Sequence, residues 1–187
     1  RRGLLLGAAA AGASACVPAQ TDEFSGLGRG IDDVTLISSA GGEVRWSEFR
    51  GSPRALFFGF THCPVICPVT IYELTAAAER AGAAADRLRV DFVTVDPERD
   101  TPERMREYFS GFGPHVTGFT GSADNLARIT RAFEVTATRT PLERGGYTMD
   151  HTAIVFLIDR TARVADVIAY GSEPEIIDER LGALLRR

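Results

Sequence analysis

Two cysteines, Cys63 and Cys67, lie four positions apart in a turn between a short apolar run and a predicted helix. This order of elements places thiols at the C-terminal end of a strand and at a helix N-terminus. Unpaired backbone N–H groups and the positive end of the helix dipole stabilise a thiolate there, and Pro64 suits the first turn of such a helix. The stretch therefore predicts cysteines with a lowered pKa that take part in chemistry.

The spacing of the two cysteines leaves two kinds of chemistry open. Side chains four residues apart on a helix have Cβ atoms about 5 to 6 Å apart, whereas a disulfide needs about 3.5 to 4.5 Å. Because Cys63 precedes the helix, a modest adjustment would let the pair close into a disulfide. The same pair would also hold a metal between two sulfurs. Two thiolates favour soft ions, above all Cu(I), while Zn(II) would require a fourth ligand.

A third metal ligand would come from one of three histidines. His62 is an awkward partner for Cys63, because adjacent side chains in extended backbone point in opposite directions. His115 lies in a predicted loop, and we expect it to be solvated. His151 precedes an apolar strand and follows a loop containing Gly145 and Gly146, which could bring it to the cysteines. A lone histidine at such a strand end is otherwise a hydrogen-bonded structural residue.

The elements that must position these residues alternate along the chain. Predicted strands cover residues 54–60, 88–95, 153–158 and 163–170. Predicted helices cover 70–84 and 100–112, and two more begin at 122 and, with the capping-box sequence SEPE, at 172. A predicted hairpin of residues 34–37 and 44–46 precedes them. This alternation, with a cysteine turn after the first interior strand, predicts an α/β three-layer sandwich of the thioredoxin type with an N-terminal β-hairpin.

Residues 96–100, which read DPERD, follow the second interior strand and end at the same edge of the sheet as Cys63. Two interpretations fit this charged segment. Its side chains face the cysteines, or they form a loop and cap that begins the next helix.

The first sixteen residues differ in composition from the rest of the chain. Two arginines are followed by an apolar stretch and the small-residue sequence ASAC, which is typical of a secretory signal and too short to span a bilayer. This sequence resembles a bacterial lipobox and predicts that Cys16 is lipidated; cleavage without lipidation and a buried N-terminal helix are the alternatives. We therefore divide the chain into a signal at 1–16, a tether at 17–31 and a domain at 32–187. The domain is expected in the bacterial periplasm or at the outer face of the cytoplasmic membrane, anchored by lipid.

Composition excludes one class of partner. With 44% hydrophobic residues, the 187-residue chain can build a core, and its net charge of −4 excludes a nucleic-acid surface.

If Cys16 carries lipid, the exported domain keeps only Cys63 and Cys67. Two cysteines are too few for a disulfide framework and are suited to a reactive pair. Nothing in the sequence indicates more than a monomer.

Three segments resemble the Sco/SenC family, in the same order along the chain. They read FFGFTHCPVICP at 57–68, VTVDPERDTPE at 93–103 and DHTAIVFLID at 150–159. The resemblance covers residues 30–187 and implies a thioredoxin-like fold anchored at the outer face of a membrane.

The resemblance also implies roles for individual residues. Cys63, Cys67 and His151 would bind copper, as Cu(I) or Cu(II), in a protein that helps to assemble the dinuclear copper centre of cytochrome c oxidase. The implied partner is apo cytochrome c oxidase subunit II or another exported copper protein. Asp150 would orient His151 by accepting a hydrogen bond from its second ring nitrogen, unless it is a solvated loop acid. The family usually has an acidic residue where this chain has Val65, a change that makes the site more apolar and bears on redox tuning and partner choice.

Two functions use the same residues. A metallochaperone would hold copper with the reduced cysteines and His151 and release it by ligand exchange. A thiol–disulfide oxidoreductase acting on cysteines of exported copper proteins would attack with one cysteine, for which an exposed Cys63 is expected, and resolve the mixed disulfide with the other. The two roles can coexist. A peroxiredoxin-like peroxidase is disfavoured, because residues 61–68 contain no arginine to activate a cysteine.

Overall fold

The computed structural model describes residues 23–187, so the predicted signal and Cys16 lie outside the described residues. The strands are β1 Thr35–Ser38, β2 Glu43–Arg45, β3 Arg54–Gly59, β4 Arg89–Thr94, β5 Val116–Thr120, β6 Ala137–Pro141, β7 Tyr147–His151, β8 Ile154–Ile158 and β9 Val164–Ala169. The helices are α1 Ile66–Ala81, α2 Pro102–Phe109, α3 Ala123–Ala132 and α4 Pro174–Leu185, and 3₁₀ turns cover Trp46–Phe49 and Gly82–Ala85.

Seven strands form one mixed sheet in the order β2-β1-β5-β4-β3-β8-β9. The three central strands β5, β4 and β3 are parallel, and the strands flanking them are antiparallel. The C-terminal ends of β3 and β4 therefore meet at the same edge, where the cysteine turn begins. This architecture confirms the predicted thioredoxin-like α/β sandwich with its N-terminal hairpin, which joins the sheet through β1.

Aromatic side chains fill the space on both faces of the sheet. Phe57 and Phe58 are adjacent in β3 and point to opposite faces. Phe57 packs against Phe92, which in turn contacts Phe109 of α2. Phe58 contacts Phe133, the residue that follows α3, on the other face. Helices therefore cover the sheet on both sides, which gives the three layers expected from the sequence.

The packing shifts one predicted boundary. Residues 23–31 are part of the predicted tether, yet Ile31 is only 3% exposed. The Gly28 backbone N–H donates to the Ala132 carbonyl at 2.8 Å, and Phe24 packs against the core. The end of the predicted tether is therefore part of the folded domain.

Several element predictions were wrong or incomplete. Strand β5 and the hairpin of β6 and β7 were not predicted, and α1 begins at Ile66 rather than at residue 70, so that Cys67 lies within its first turn. Helix α4 has Glu173 as its N-cap, without the side-chain hydrogen bond of the predicted capping box. Ile176, in the first turn of that helix, is 40% exposed.

The described helices do not include a membrane span. Between residues 23 and 187, none combines the length and apolar character needed to cross a membrane.

Candidate functional site

The two cysteines occupy the turn and the helix start that follow β3. Both are free thiols. The Cys63 N–H donates to the Phe60 carbonyl at 3.1 Å, and the Cys67 N–H points at Cys63 Sγ at 3.4 Å. The first turn of α1 thus directs a backbone donor at the first thiol, as expected for a helix N-terminus. Cys63, predicted to be exposed, is only 9% exposed, and Cys67 is fully buried.

The buried position of Cys67 depends on a glycine at the end of β3. A Cβ atom on Gly59 would lie 2.8 Å from Cys67 Sγ and 2.7 Å from the Phe92 ring. Burial raises the pKa of the Cys67 thiol far above its usual value, and a backbone hydrogen bond at Phe60 offsets only part of this effect. The expectation that the helix start lowers this pKa is therefore wrong for Cys67, whose thiol is neutral at pH 7.

His151 reaches the cysteines from the end of β7. Its Nε2 lies 3.8 Å from Cys67 Sγ, and its ring packs edge-on against Phe57 and Phe60, with 5.9 Å between ring centroids in each case. The sequence placed this histidine at the start of the following strand, after a loop. It is instead the last residue of a hairpin whose turn contains Gly145 and Gly146.

The hydrogen bonds of His151 fix the state of its ring. Nδ1 lies 3.0 Å from the Thr152 carbonyl oxygen, which can only accept, so we assign the ring proton to Nδ1. Burial also lowers the pKa of His151, so the imidazole is neutral at pH 7. The lone pair of Nε2 therefore faces Cys67 and is available to a metal ion.

Asp150 does not make the contact that we expected. Its carboxylate accepts a hydrogen bond from Thr140 Oγ1 in the neighbouring strand β6. The ring nitrogen Nδ1 of His151 donates its hydrogen bond to the Thr152 carbonyl instead. A backbone carbonyl thus takes the orienting role that we expected of the Asp150 carboxylate, as it does for many metal-binding histidines.

Cys63 and His151 border an open cleft of about 330 Å³, and the fully buried Cys67 lies behind it, next to His151. Its lining residues come from the cysteine turn and from β7 and are Phe60, Cys63, Pro64, Val65, Ile66, Thr148, Met149, Asp150 and His151. Val65 is 54% exposed at the rim. Within residues 23–187, no three histidine, cysteine or acidic side chains converge as metal ligands in their present rotamers. Simultaneous ligation by Cys63, Cys67 and His151 therefore requires a side-chain adjustment.

The other two histidines do not join this group. His62 is exposed, and its Nδ1 lies 3.2 Å from Thr61 Oγ1. His115 is half-buried rather than solvated and directly precedes β5, at the opposite end of the sheet from the cysteine turn. Its carbonyl accepts from the Val90 N–H.

A buried carboxylate that sequence analysis assigned to a helix cap holds the cysteine turn. Asp100 is fully buried and accepts hydrogen bonds from Thr61 N at 3.0 Å, Thr61 Oγ1 at 2.6 Å and Thr94 Oγ1 at 2.7 Å. The cap of α2 is Thr101 instead. Asp100 thus links the turn before Cys63 to the end of β4. The acidic residues at 96–100 were the available signal, but nothing in the sequence distinguishes a buried from a solvated carboxylate there.

A second set of contacts, which we call the hairpin clamp, connects the same segment to the hairpin that carries His151. The clamp consists of Asp96, Arg99 and Tyr147. Tyr147 donates its hydroxyl to Asp96 at 2.8 Å, and Arg99 bonds both Asp96 and the Tyr147 carbonyl. The Arg99 guanidinium also lies 3.7 Å from the Tyr147 ring centroid. Strands β6 and β7 pair only with each other among the described strands, so these side chains anchor the hairpin.

Replacing Tyr147 with alanine is expected to loosen the hairpin. The variant loses a hydroxyl hydrogen bond to a buried acid and two cation–π contacts, with Arg99 and Arg139, so amide hydrogen exchange in β6 and β7 should accelerate roughly tenfold or more. Tyr147→Phe, which keeps the ring, should show a smaller increase. Tyr170→Ala, at an exposed position, is the control and should leave exchange in the hairpin unchanged. Unaltered exchange in Tyr147→Ala would show that other contacts hold the hairpin.

Comparison with known proteins gives a consistent result. Among curated proteins, the chain is 31% identical over 153 residues to protein sco1 of Schizosaccharomyces pombe, a match that covers 80% of this chain and 58% of that protein. It is 36% identical over 126 residues to the mitochondrial SCO1 homolog 1 of Arabidopsis thaliana, covering 66% of this chain and 37% of that protein. The chain thus spans less than two thirds of the length of these relatives.

Solved structures agree in fold. Bradyrhizobium japonicum ScoI with copper bound superimposes with a TM-score of 0.73 at 36% identity, covering 81% of this chain and 96% of that one. Yeast Sco1 with copper bound gives a TM-score of 0.73 at 25% identity, covering 82% and 86%. A model of the family described as SCO1/SenC matches residues 29–186. With that match over most of its length, this chain belongs to the SCO1/SenC family.

Proposed function

We propose that this protein carries copper on Cys63, Cys67 and His151 and delivers it to an exported copper protein. The observation that carries the proposal is the distance of 3.8 Å between Cys67 Sγ and His151 Nε2. One metal ion bound to both atoms would hold them at a similar separation, since metal–sulfur and metal–nitrogen bonds are about 2.3 and 2.0 Å long. Solved relatives from Bradyrhizobium japonicum and yeast contain copper, which supports copper as the ion.

The three residues have different tasks in this proposal. Cys67 provides a buried sulfur, and His151, which lines the cleft, provides a nitrogen beside it. Cys63 lies on the preceding turn and completes the site by rotating its thiol toward them. Burial keeps the Cys67 thiol neutral, so copper binding would displace its proton, which is released to solvent. His151 already presents its free nitrogen.

The ligand set favours Cu(I) and favours its release. Two thiolates and a neutral imidazole are soft or borderline donors, which suit Cu(I). A three-coordinate ion in an open cleft has room for an incoming ligand. A partner that adds its own sulfur or imidazole can therefore take the ion stepwise, through an intermediate shared between the two proteins.

The proposed recipient is the dinuclear copper centre of cytochrome c oxidase, in apo subunit II. We infer that the protein works outside the cytoplasmic membrane, since residues 1–16 are typical of a secretory signal. Lipidation of Cys16 would anchor it there, with the chain that leads to residue 23 as a short tether. A monomer suffices for this role, because one chain supplies all three proposed ligands.

Thiol–disulfide exchange is the second candidate function, favoured by two free cysteines in one turn. Cys67 is a poor attacking group, because burial raises its thiol pKa far above the usual value. Cys63 is the better nucleophile, since it borders the cleft and its sulfur accepts from the Cys67 N–H in the first turn of α1. A protein that reduces the cysteines of its client before loading copper would use both functions.

Anaerobic titration of the reduced protein with Cu(I), in competition with a chelator, tests the proposal. We expect one tightly bound equivalent, and its transfer to the apo copper domain of subunit II when the two proteins are mixed. Failure to bind Cu(I) tightly would overturn the proposal. Reduction of a disulfide in the client without any copper transfer would instead support the exchange function.

A further inference from the structure

A methionine lines the cleft together with Cys63. Met149 lies in β7 two residues before His151, and side chains two residues apart in a strand share a face. The Met149 side chain is half-buried, packs against the core and lines the cleft together with Cys63 and His151. Sequence analysis did not identify it, because a lone methionine in a polar segment carries no pattern.

The two methionines of the chain have different surroundings. Met105 is fully buried, and its sulfur would lie 2.9 Å from a Cβ atom on Gly118, so it is a packing residue. Met149 is half-buried and lines the open cleft. The carboxylate that also lines it, Asp150, accepts a hydrogen bond from Thr140. A thioether is a soft ligand with flexible bonds, and it favours Cu(I) over Cu(II).

We propose that Met149 is an additional, exchangeable ligand that makes the copper site selective for Cu(I). This inference rests on the proposed function, because it concerns the same ion. The thioether adds a weak fourth bond to the ion held by the two cysteines and His151. It has no proton to lose, so its binding to copper is independent of pH. It dissociates when a ligand of the recipient arrives, and no electron is transferred in this exchange.

Selenomethionine labelling tests this role without disturbing the fold. X-ray absorption of the labelled, Cu(I)-loaded protein is expected to show a copper–selenium contact. The contact should persist in Met105→Leu, which keeps only the cleft methionine, and disappear in Met149→Leu. If the labelled protein binds copper through sulfur and nitrogen with no selenium neighbour, Met149 is a packing residue and the inference is overturned, while the proposed function stands.

Affinity gives a second measurement. Met149→Leu conserves volume, and we expect it to lower Cu(I) affinity about tenfold and to leave Cu(II) affinity unchanged. Ile66→Leu, a change of apolar shape in the same cleft, should alter neither affinity. Equal Cu(I) affinities for the wild type and Met149→Leu would contradict the inference. Wild-type protein that binds no Cu(I) would overturn the proposed function together with the inference built on it.

Discussion

His151→Ala is expected to abolish tight copper binding while leaving both thiols intact. The substitution removes the only imidazole that faces Cys67 among the described residues. The ion would keep only the two thiolates and the weak thioether contact proposed for Met149, which leaves it open to the chelator. We expect the Cu(I) affinity to fall by about two orders of magnitude. Competition titration measures the affinity, and thiol counting under denaturing conditions checks that both cysteines remain reduced.

The two other histidines provide matched controls for this experiment. His62→Ala changes an exposed residue next to Cys63, and His115→Ala changes a half-buried residue at the far end of the sheet. Both variants should keep the wild-type Cu(I) affinity. Copper affinity that is unchanged in His151→Ala would refute the assignment of His151. The cysteine pair would then be interpreted as a redox couple, and thiol–disulfide exchange would become the leading function.

The strand–turn–helix segment around Cys63 could be predicted because its pattern is local. β3 is apolar at nearly every position, because both of its faces are covered. Gly59 and Pro64 then mark where the strand ends and the helix begins. In such a segment, the chemistry-bearing residues and the elements that position them lie within about fifteen residues.

The hairpin that carries His151 could not be predicted, because its stability does not come from apolar alternation. All but one residue of β6 are exposed, and the strand contains threonine, arginine and a terminal proline. Its fold depends on pairing with β7 and on the hairpin clamp, which joins residues about fifty positions apart. Strand β5 was missed for a related reason, since Gly118 interrupts its short apolar run where Phe109 approaches the backbone.

The burial of Cys67 also escaped sequence analysis. A helix N-terminus lowers the pKa of a thiol that is solvated. The Cys67 thiol is instead fully buried next to Gly59, where Phe92 also packs, and no water reaches it. Desolvation then outweighs the helix dipole, whose effect near a helix end is typically worth only about 0.3 to 1 kcal/mol. Which of the two effects dominates depends on packing between residues that are distant in sequence, such as Gly59, Cys67 and Phe92. The local sequence does not encode that packing.

One charged segment joins the two halves of the candidate site. Residues 96–100 hold the cysteine turn through Asp100 and the His151 hairpin through Asp96 and Arg99. Both interpretations of this segment from the sequence were therefore incomplete. Its charged side chains face the site, yet they bond to the turn and the hairpin that carry the ligands and not to the ligands themselves. The segment therefore contacts both the cysteine turn and the hairpin.

Asp100→Ala is accordingly expected to destabilise the protein and to weaken the proposed copper site. The variant leaves three buried donors without their acceptor, namely Thr61 N, Thr61 Oγ1 and Thr94 Oγ1. Each unsatisfied buried group costs about 1 to 3 kcal/mol, and partial relaxation of the hydroxyls should limit the total to about 3 kcal/mol. Urea unfolding measures this loss. Because Thr61 is two residues from Cys63, we also expect roughly tenfold weaker Cu(I) binding in the fraction that remains folded.

Two further variants test whether the effect of Asp100→Ala comes from its buried hydrogen bonds or from the loss of any acidic residue. Asp100→Asn keeps the shape and one acceptor oxygen, so it should lose about half as much stability as Asp100→Ala. Asp32→Ala removes an exposed carboxylate paired with Arg50 and should change stability by less than about 0.5 kcal/mol. If Asp100→Ala unfolds at the wild-type urea concentration, the hydroxyls have found other partners. In that case the packing of Phe60 and Cys67 alone would hold the turn in place, and the copper affinity should equal that of the wild type.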